Sequence, residues 1–95
     1  MALLHMVWMA PKADTTPEQM DEGLAAIRGL GHIPDVLSID TGCNLTDRAG
    51  GATHGAMITL TGIHALPSYI EHTDHQTVGR LLRDICTVTV MDIET

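Results

Sequence analysis

Leu3-Leu4-His5-Met6-Val7-Trp8-Met9-Ala10 is the stretch on which the fold turns. Its residues are apolar on both alternating faces, with His5 the one exception, which is how a strand buried on both sides reads. In a chain of 95 residues, helices can cover one of those faces. Something else must cover the other.

The rest of the chain supplies the helices. Pro11–Thr15 is a loop, and Thr16-Pro17-Glu18-Gln19 then combines an N-cap, a proline at the first helical position and a glutamine at the third. Met20, Leu24, Ile27 and Leu30 follow at helical spacing, and Gly29 and Gly31 stop the helix. His32–Asp35 is a turn into a second strand, Val36–Thr41, which alternates Val36/Ser38/Asp40 with Leu37/Ile39/Thr41. Gly42–Ala52 is rich in turn formers and is expected to be the most mobile loop. A third strand, Thr53–Thr61, sets His54, Ala56, Ile58 and Leu60 on one face and Gly55, Met57 and Thr59 on the other. A helical stretch, Ile63–Glu71, tolerates Pro67 in its first turns, and a break is expected over His72–His75. Gln76–Ile85 is the next helix and Thr87–Glu94 the closing strand.

Strand, helix, strand, strand, helix, strand is met most economically by an α+β, ferredoxin-like βαββαβ fold. Its antiparallel sheet of four strands carries its helices on one face, as a single domain over residues 1–95. The other face keeps Met6, Trp8, Met57 and Met91. An apolar face of that size is a large patch for a monomer, so a homodimer stacking two sheets is expected.

Composition limits the partners. Five Lys and Arg against twelve Asp and Glu give a net charge of −7. Neither nucleic acid nor an anionic membrane surface suits such a chain, because phosphate is neutralised by clustered cations. No apolar run approaches the ~20 residues of a membrane span, and the opening stretch lacks a charged leader. Cys43 and Cys86 show no paired spacing and read as reduced thiols of a cytoplasmic protein. The chain has no Phe, one Trp and one Tyr, yet six His.

Those histidines and the tyrosine carry the candidate chemistry. His5 and His54 lie on interior strands and point into one cavity if the first and third strands are neighbours; the plainer reading makes each a core histidine held by a carbonyl. In Tyr69-Ile70-Glu71-His72-Thr73-Asp74-His75, Tyr69 and His72 share a helical face, and His75 joins them only if Thr73-Asp74 breaks the helix. A phenol and an imidazole suit enol chemistry near neutral pH, the imidazole taking a proton and the hydroxyl steadying an oxyanion. The competing reading is a packed tyrosine with histidines capping a helix. A metal site at His72-x-x-His75 with Glu71, Asp74 and His5 or His54 is the weakest alternative, since the spacing declares no third ligand. Arg80 and Arg83 read as a solvated face with Asp84.

Taken together, His5 in the first strand, Thr16-Pro17-Glu18-Gln19, Ile33-Pro34-Asp35-Val36, Gly42-x-Asn44, Thr53-His54-Gly55, Tyr69-x-x-His72-x-x-His75-Gln76 and Val90-x-Asp92 resemble the stress-responsive dimeric α+β barrel family. The resemblance covers essentially the whole chain. It implies a ferredoxin-like fold paired into a barrel-like homodimer. It also implies a kinship with plant olivetolic acid cyclase, which closes a linear polyketide by aldol condensation without a cofactor. Carried over by motif position, the catalytic tyrosine and histidine fall on Tyr69 and His75, and the cavity histidines on His5 and His54. His72 matches the intervening histidine. Trp8, the other aromatic, is a further candidate for substrate contact. Thr73 departs from the family's usual proline, so the helix break is less firmly specified, and the scarcity of aromatics implies a pocket lined by Met, Leu, Ile and Val.

The expectation is therefore a cofactor-independent, metal-free enzyme of the cyclase or lyase type acting on a small carbonyl-rich molecule such as a polyketide. A non-catalytic, dimeric, stress-associated binding protein and a cofactor-free monooxygenase are the alternatives.

Overall fold

In the computed structural model, which describes residues 1–95, the opening strand β1 (Leu3–Pro11) lies inside a sheet of four antiparallel strands. The others are β2 (Val36–Cys43), β3 (His54–Leu60) and β4 (Cys86–Glu94), and the order is β2-β3-β1-β4. The helices α1 (Pro17–Arg28), α2 (Leu66–Glu71) and α3 (Thr73–Ile85) complete the ferredoxin-like arrangement. β1 is a central strand, paired with β3 on one side and with the edge strand β4 on the other, and both its faces are largely apolar. Leu3, Val7 and Met9 are buried toward the helices, against Met20, Leu24 and Ile27 of α1 and Leu82 and Ile85 of α3.

The register fixes what each position of β1 sees. His5 is opposite Ile58 on β3 and Asp92 on β4, and Met6 is opposite Met57 and Met91. The face of the sheet away from the helices is apolar, as the alternation predicts. Trp8 is 44 % exposed there, and Met91 and Ile93 are also uncovered.

α1 starts where its cap dictates. The Gln19 amide donates to Thr16 Oγ1 at 3.1 Å, and the Thr16 amide donates to Gln19 Oε1 at 2.8 Å, so two amides that the helix leaves unpaired are satisfied reciprocally. Thr16→Ala removes one of these bonds and is expected to cost about 0.5–2 kcal/mol. Urea denaturation measures this, and a loss below about 0.3 kcal/mol would show that the cap contributes nothing.

Three local features differ from expectation. β2 does not alternate simply: Val36 pairs with Leu60 and Ser38 with Thr59, leaving Leu37 as the extra residue of a bulge, 62 % exposed. The bulge moves Val36 to the same side as Ile39, and both pack against the core. The expected mobile loop is shortened by two residues of strand, Gly42 and Cys43. It is also stitched by Asn44, whose side-chain amide donates to the carbonyls of Thr46 and Ala52. Finally, Ile63–Glu71 is not one helix but a 3₁₀ turn, Ile63–Ala65, followed by α2.

Candidate active site

The α2–α3 junction sets the site. Pro67 lies in the first turn of α2, where its missing amide costs no hydrogen bond, and the helix carries Tyr69 into the core, 2 % exposed. The break is one residue long, not the stretch His72–His75. His72 adopts φ −59° and ψ 135°, and α3 begins at Thr73. With threonine where a proline would enforce the turn, the His72 side chain sets it: its Nδ1 accepts the Asp74 amide at 3.1 Å and caps α3. The chain changes direction there, turning His72 away and returning His75 to Tyr69, with ring centroids 4.7 Å apart.

His5 reaches the same place from the sheet. Its ring lies 5.6 Å from that of Tyr69 and 6.5 Å from that of His75. Direct pairing of β1 with β4 sets Asp92 opposite His5, and Nδ1 of His5 is hydrogen-bonded to the Asp92 carboxylate at 2.5 Å. The carboxylate fixes the ring and leaves Nε2 as the free atom. Asp92 is the member of this group that sequence reading left without a role. Its signal was a carboxylate alternating with Val88 and Val90 on an otherwise apolar strand face.

His5, Tyr69 and His75 share a cavity of about 410 Å³ between sheet and helices, with Val7, Leu30 and Ile58 among its apolar walls. That volume lies within the ~300–1,000 Å³ typical of small-molecule clefts. Burial pushes the Tyr69 phenol up to about 12, so the group is a neutral hydrogen-bond donor at neutral pH. His75 is held below the ordinary imidazole value, chiefly by burial. The Ile70 carbonyl opposes that shift, and His5, Arg83 and His72 add to it. His75 Nδ1 donates to the Ile70 carbonyl at 3.1 Å. The neutral tautomer thus keeps Nε2 as its basic atom. A neutral base, a neutral acid and an oriented second imidazole therefore converge in one apolar space.

Three of the expected site residues lie elsewhere. His54 does not share the cavity of His5. In the antiparallel register it sits opposite Met9, four residues along β1, a separation of about 13 Å along a strand. Trp8 projects from the other face of the sheet, and both His54 and Trp8 border a different depression, of about 400 Å³, with Met6, Asp40 and Met57. His72 caps α3 and meets His32 instead, with ring centroids 5.9 Å apart. His32 in turn bonds Asp74 through Nε2 at 2.7 Å and the Gly29 carbonyl through Nδ1 at 2.9 Å. His32, His72 and Asp74 are the three possible metal ligands that approach one another, within 4.8 Å. This cluster clasps the end of α1 to the start of α3 and does not include His5, His54 or His75.

The family model of the stress responsive A/B barrel domain matches residues 3–95. The chain belongs to this family. Its backbone superposes on solved members of the same architecture. A dimeric ferredoxin-like protein of unknown function from Jannaschia sp. is 25 % identical, with all of both chains covered and a TM-score of 0.87. The hydroxynitrile lyase of Passiflora edulis is 20 % identical over 97 % of this chain and 91 % of its own, with a TM-score of 0.87. A cofactor-independent oxygenase of Streptomyces nogalater is 12 % identical over 99 % and 92 %, with a TM-score of 0.78. No curated protein matches the sequence. The family fold thus supports catalysis in other chains, and none of the helices here is long and apolar enough to cross a membrane.

Proposed function

We propose that this protein is a cofactor-independent enzyme of the cyclase or lyase type, working by acid–base chemistry on a small carbonyl-rich molecule, a polyketide or its like. The observation that carries the reading is the juxtaposition of His75 and Tyr69, 4.7 Å apart in a largely apolar cavity. Nε2 of His75 takes a proton from the carbon alpha to a carbonyl. The electron pair moves onto the carbonyl oxygen, and the Tyr69 hydroxyl donates a hydrogen bond to the enolate that forms. His5, oriented through Nδ1 by the Asp92 carboxylate, presents the Nε2 lone pair, which accepts a hydrogen bond from a substrate hydroxyl or enol. In the condensing direction the enolate carbon attacks another carbonyl and the new alkoxide is protonated from His75; in the cleaving direction the same steps run backwards.

The protein acts as a homodimer in this reading, with the face carrying Met6, Trp8, Met57 and Met91 as the interface. Two of the similar structures are dimers of unknown function, and a face of this kind is large to leave in water. Sedimentation at micromolar concentration should show a dimer; a stable monomer refutes that part.

Catalysis is tested by solvent deuterium exchange at the alpha carbons of methyl ketones and β-keto thioesters, followed by NMR. Exchange faster than in protein-free buffer is expected for ligands that enter the cavity. Ligands that bind and do not exchange would instead favour the non-catalytic binding protein.

A further inference from the structure

We propose that Arg83, with Arg80 one turn before it, forms an anion-binding subsite at the mouth of the Tyr69–His75 cavity, and that the ligand of this cavity is an apolar molecule ending in a carboxylate. The inference rests on the reading of this cavity as a ligand site. Arg83 borders the cavity itself, together with Ile70, His75 and Gly79. The same four residues continue outward into a shallow polar depression, where Arg80, Glu71 and Gln76 join them. Cavity and depression thus adjoin, sharing these four residues, and both arginines line the outer one.

Three observations set this arginine apart from an ordinary solvated one. First, the chain has only five Lys and Arg against twelve Asp and Glu, yet two of the five stand at this opening. Second, they have no acidic partner. The two ion pairs of the protein, His5–Asp92 and His32–Asp74, involve histidines, so no carboxylate lies within 4.0 Å of either guanidinium. Asp84, their expected neighbour, does not pair with them. Glu71 borders the outer depression without bonding them, and Asp92 is taken by His5. Third, Gly79 interrupts the middle of α3 at a cost in helix stability. A Cβ there would come within 3.1 Å of Arg83 Nη1. The guanidinium therefore lies back along the helix, over the space that the glycine leaves, beside His75 and Ile70. A fork of hydrogen-bond donors without an ion-pair partner there matches the geometry of a carboxylate.

The arrangement also orients its ligand. A carboxylate at Arg83 keeps the charged end in the polar opening, and the apolar body then extends inward past His75 toward Tyr69 and His5. The reverse orientation would take the carboxylate away from both arginines and into a lining that includes Leu30 and Ile58.

Octanoate and octanol are the probes, because they differ only in the charged end. Binding to the full-length protein is measured by titration with NMR detection. Octanoate is expected to bind roughly tenfold or more tightly than octanol, the range of a hydrogen bond to a charged group, and to shift the amides of Ile70, His75 and Gly79. Arg83→Met should remove that advantage and leave octanol unchanged, while Arg83→Lys retains part of it. Equal affinities in the unaltered protein, equal losses of both probes in Arg83→Met, or shifts centred on Trp8 would overturn the proposal. If both probes enter the cavity equally, the subsite fails and the ligand site stands. If neither enters, both fail. Because the readout is binding, it is independent of turnover.

Discussion

His75→Gln is expected to lower alpha-proton exchange by roughly 10²–10⁴-fold, the usual contribution of a general base. The fold should survive, because His75 is only half-buried and its one side-chain hydrogen bond ties it to the Ile70 carbonyl near the end of α2. Full exchange in this variant would remove His75 from the reaction. The pH profile supplies a second reading of the same group. Burial lowers the imidazole from its ordinary 6.5, so the neutral, basic form persists below that value. Exchange should therefore be flat through neutrality and fall on the acid side, with a midpoint under 6.5. The same shift gives a sign for stability. Because the folded imidazole binds its proton less readily than the unfolded one, its contribution is complete above 6.5 and declines as pH falls toward the lower, folded value. Tyr69, raised to about 12, remains protonated across this window and contributes no limb to the profile near neutrality.

Leu60→Ala should be strongly destabilising, by about 2–5 kcal/mol. Leu60 is fully buried, sits between Leu3 of β1 and Val36 of β2, and does not border the ligand cavity. The loss is therefore a cavity and transfer effect alone. Against the ~5–15 kcal/mol that holds a domain of this kind together, it is a large share. Urea denaturation at 25 °C measures it, and a change under about 1 kcal/mol would mean that the core around β3 closes up around the missing methyls. Such a variant should keep the midpoint of the exchange profile as long as it is folded, which separates loss of fold from loss of chemistry.

The order of elements was readable because α1, capped and amphipathic, and β3, alternating, are written in periods that one conformation satisfies. β1, apolar on both faces, reads as a strand buried on both sides. The bulge at Leu37 was not readable, since a strand with one extra residue still alternates locally and only its pairing with β3 exposes the slip. The helix break was placed too broadly for a related reason. Thr73 and Asp74 are ordinary break-forming residues, but the interruption is set by a contact between the His72 ring and the Asp74 amide, which spacing does not reveal.

The candidate site divides in the same way. Tyr69 and His75 were named from the motif they share with the family, and the fold sets their rings side by side. His54 and Trp8 belong to the same motifs or composition, yet strand register carries one of them about four residues along the sheet from His5, and alternation turns the other through to the opposite face. Asp92 and Arg83 come from the far end of the chain. Asp92 gains its partner from the pairing of the first and last strands, 87 residues apart in sequence. Arg83 reads in sequence as one of a solvated pair with Asp84 and becomes a cavity residue only because α3 packs over β4 with Gly79 beneath the guanidinium.

The sequence by itself determined the two-faced central strand, α1 and its cap, the ferredoxin-like order and the family. All of these depend on local periodicity or on motifs that lie within a few residues of one another. Tertiary structure alone decided which polar groups meet: His5 with Asp92, His75 with Tyr69 and the Ile70 carbonyl, His32 with Asp74, and Arg83 with no carboxylate. Those meetings depend on strand register and helix direction, where a shift of one residue sends a side chain to the opposite face of the sheet.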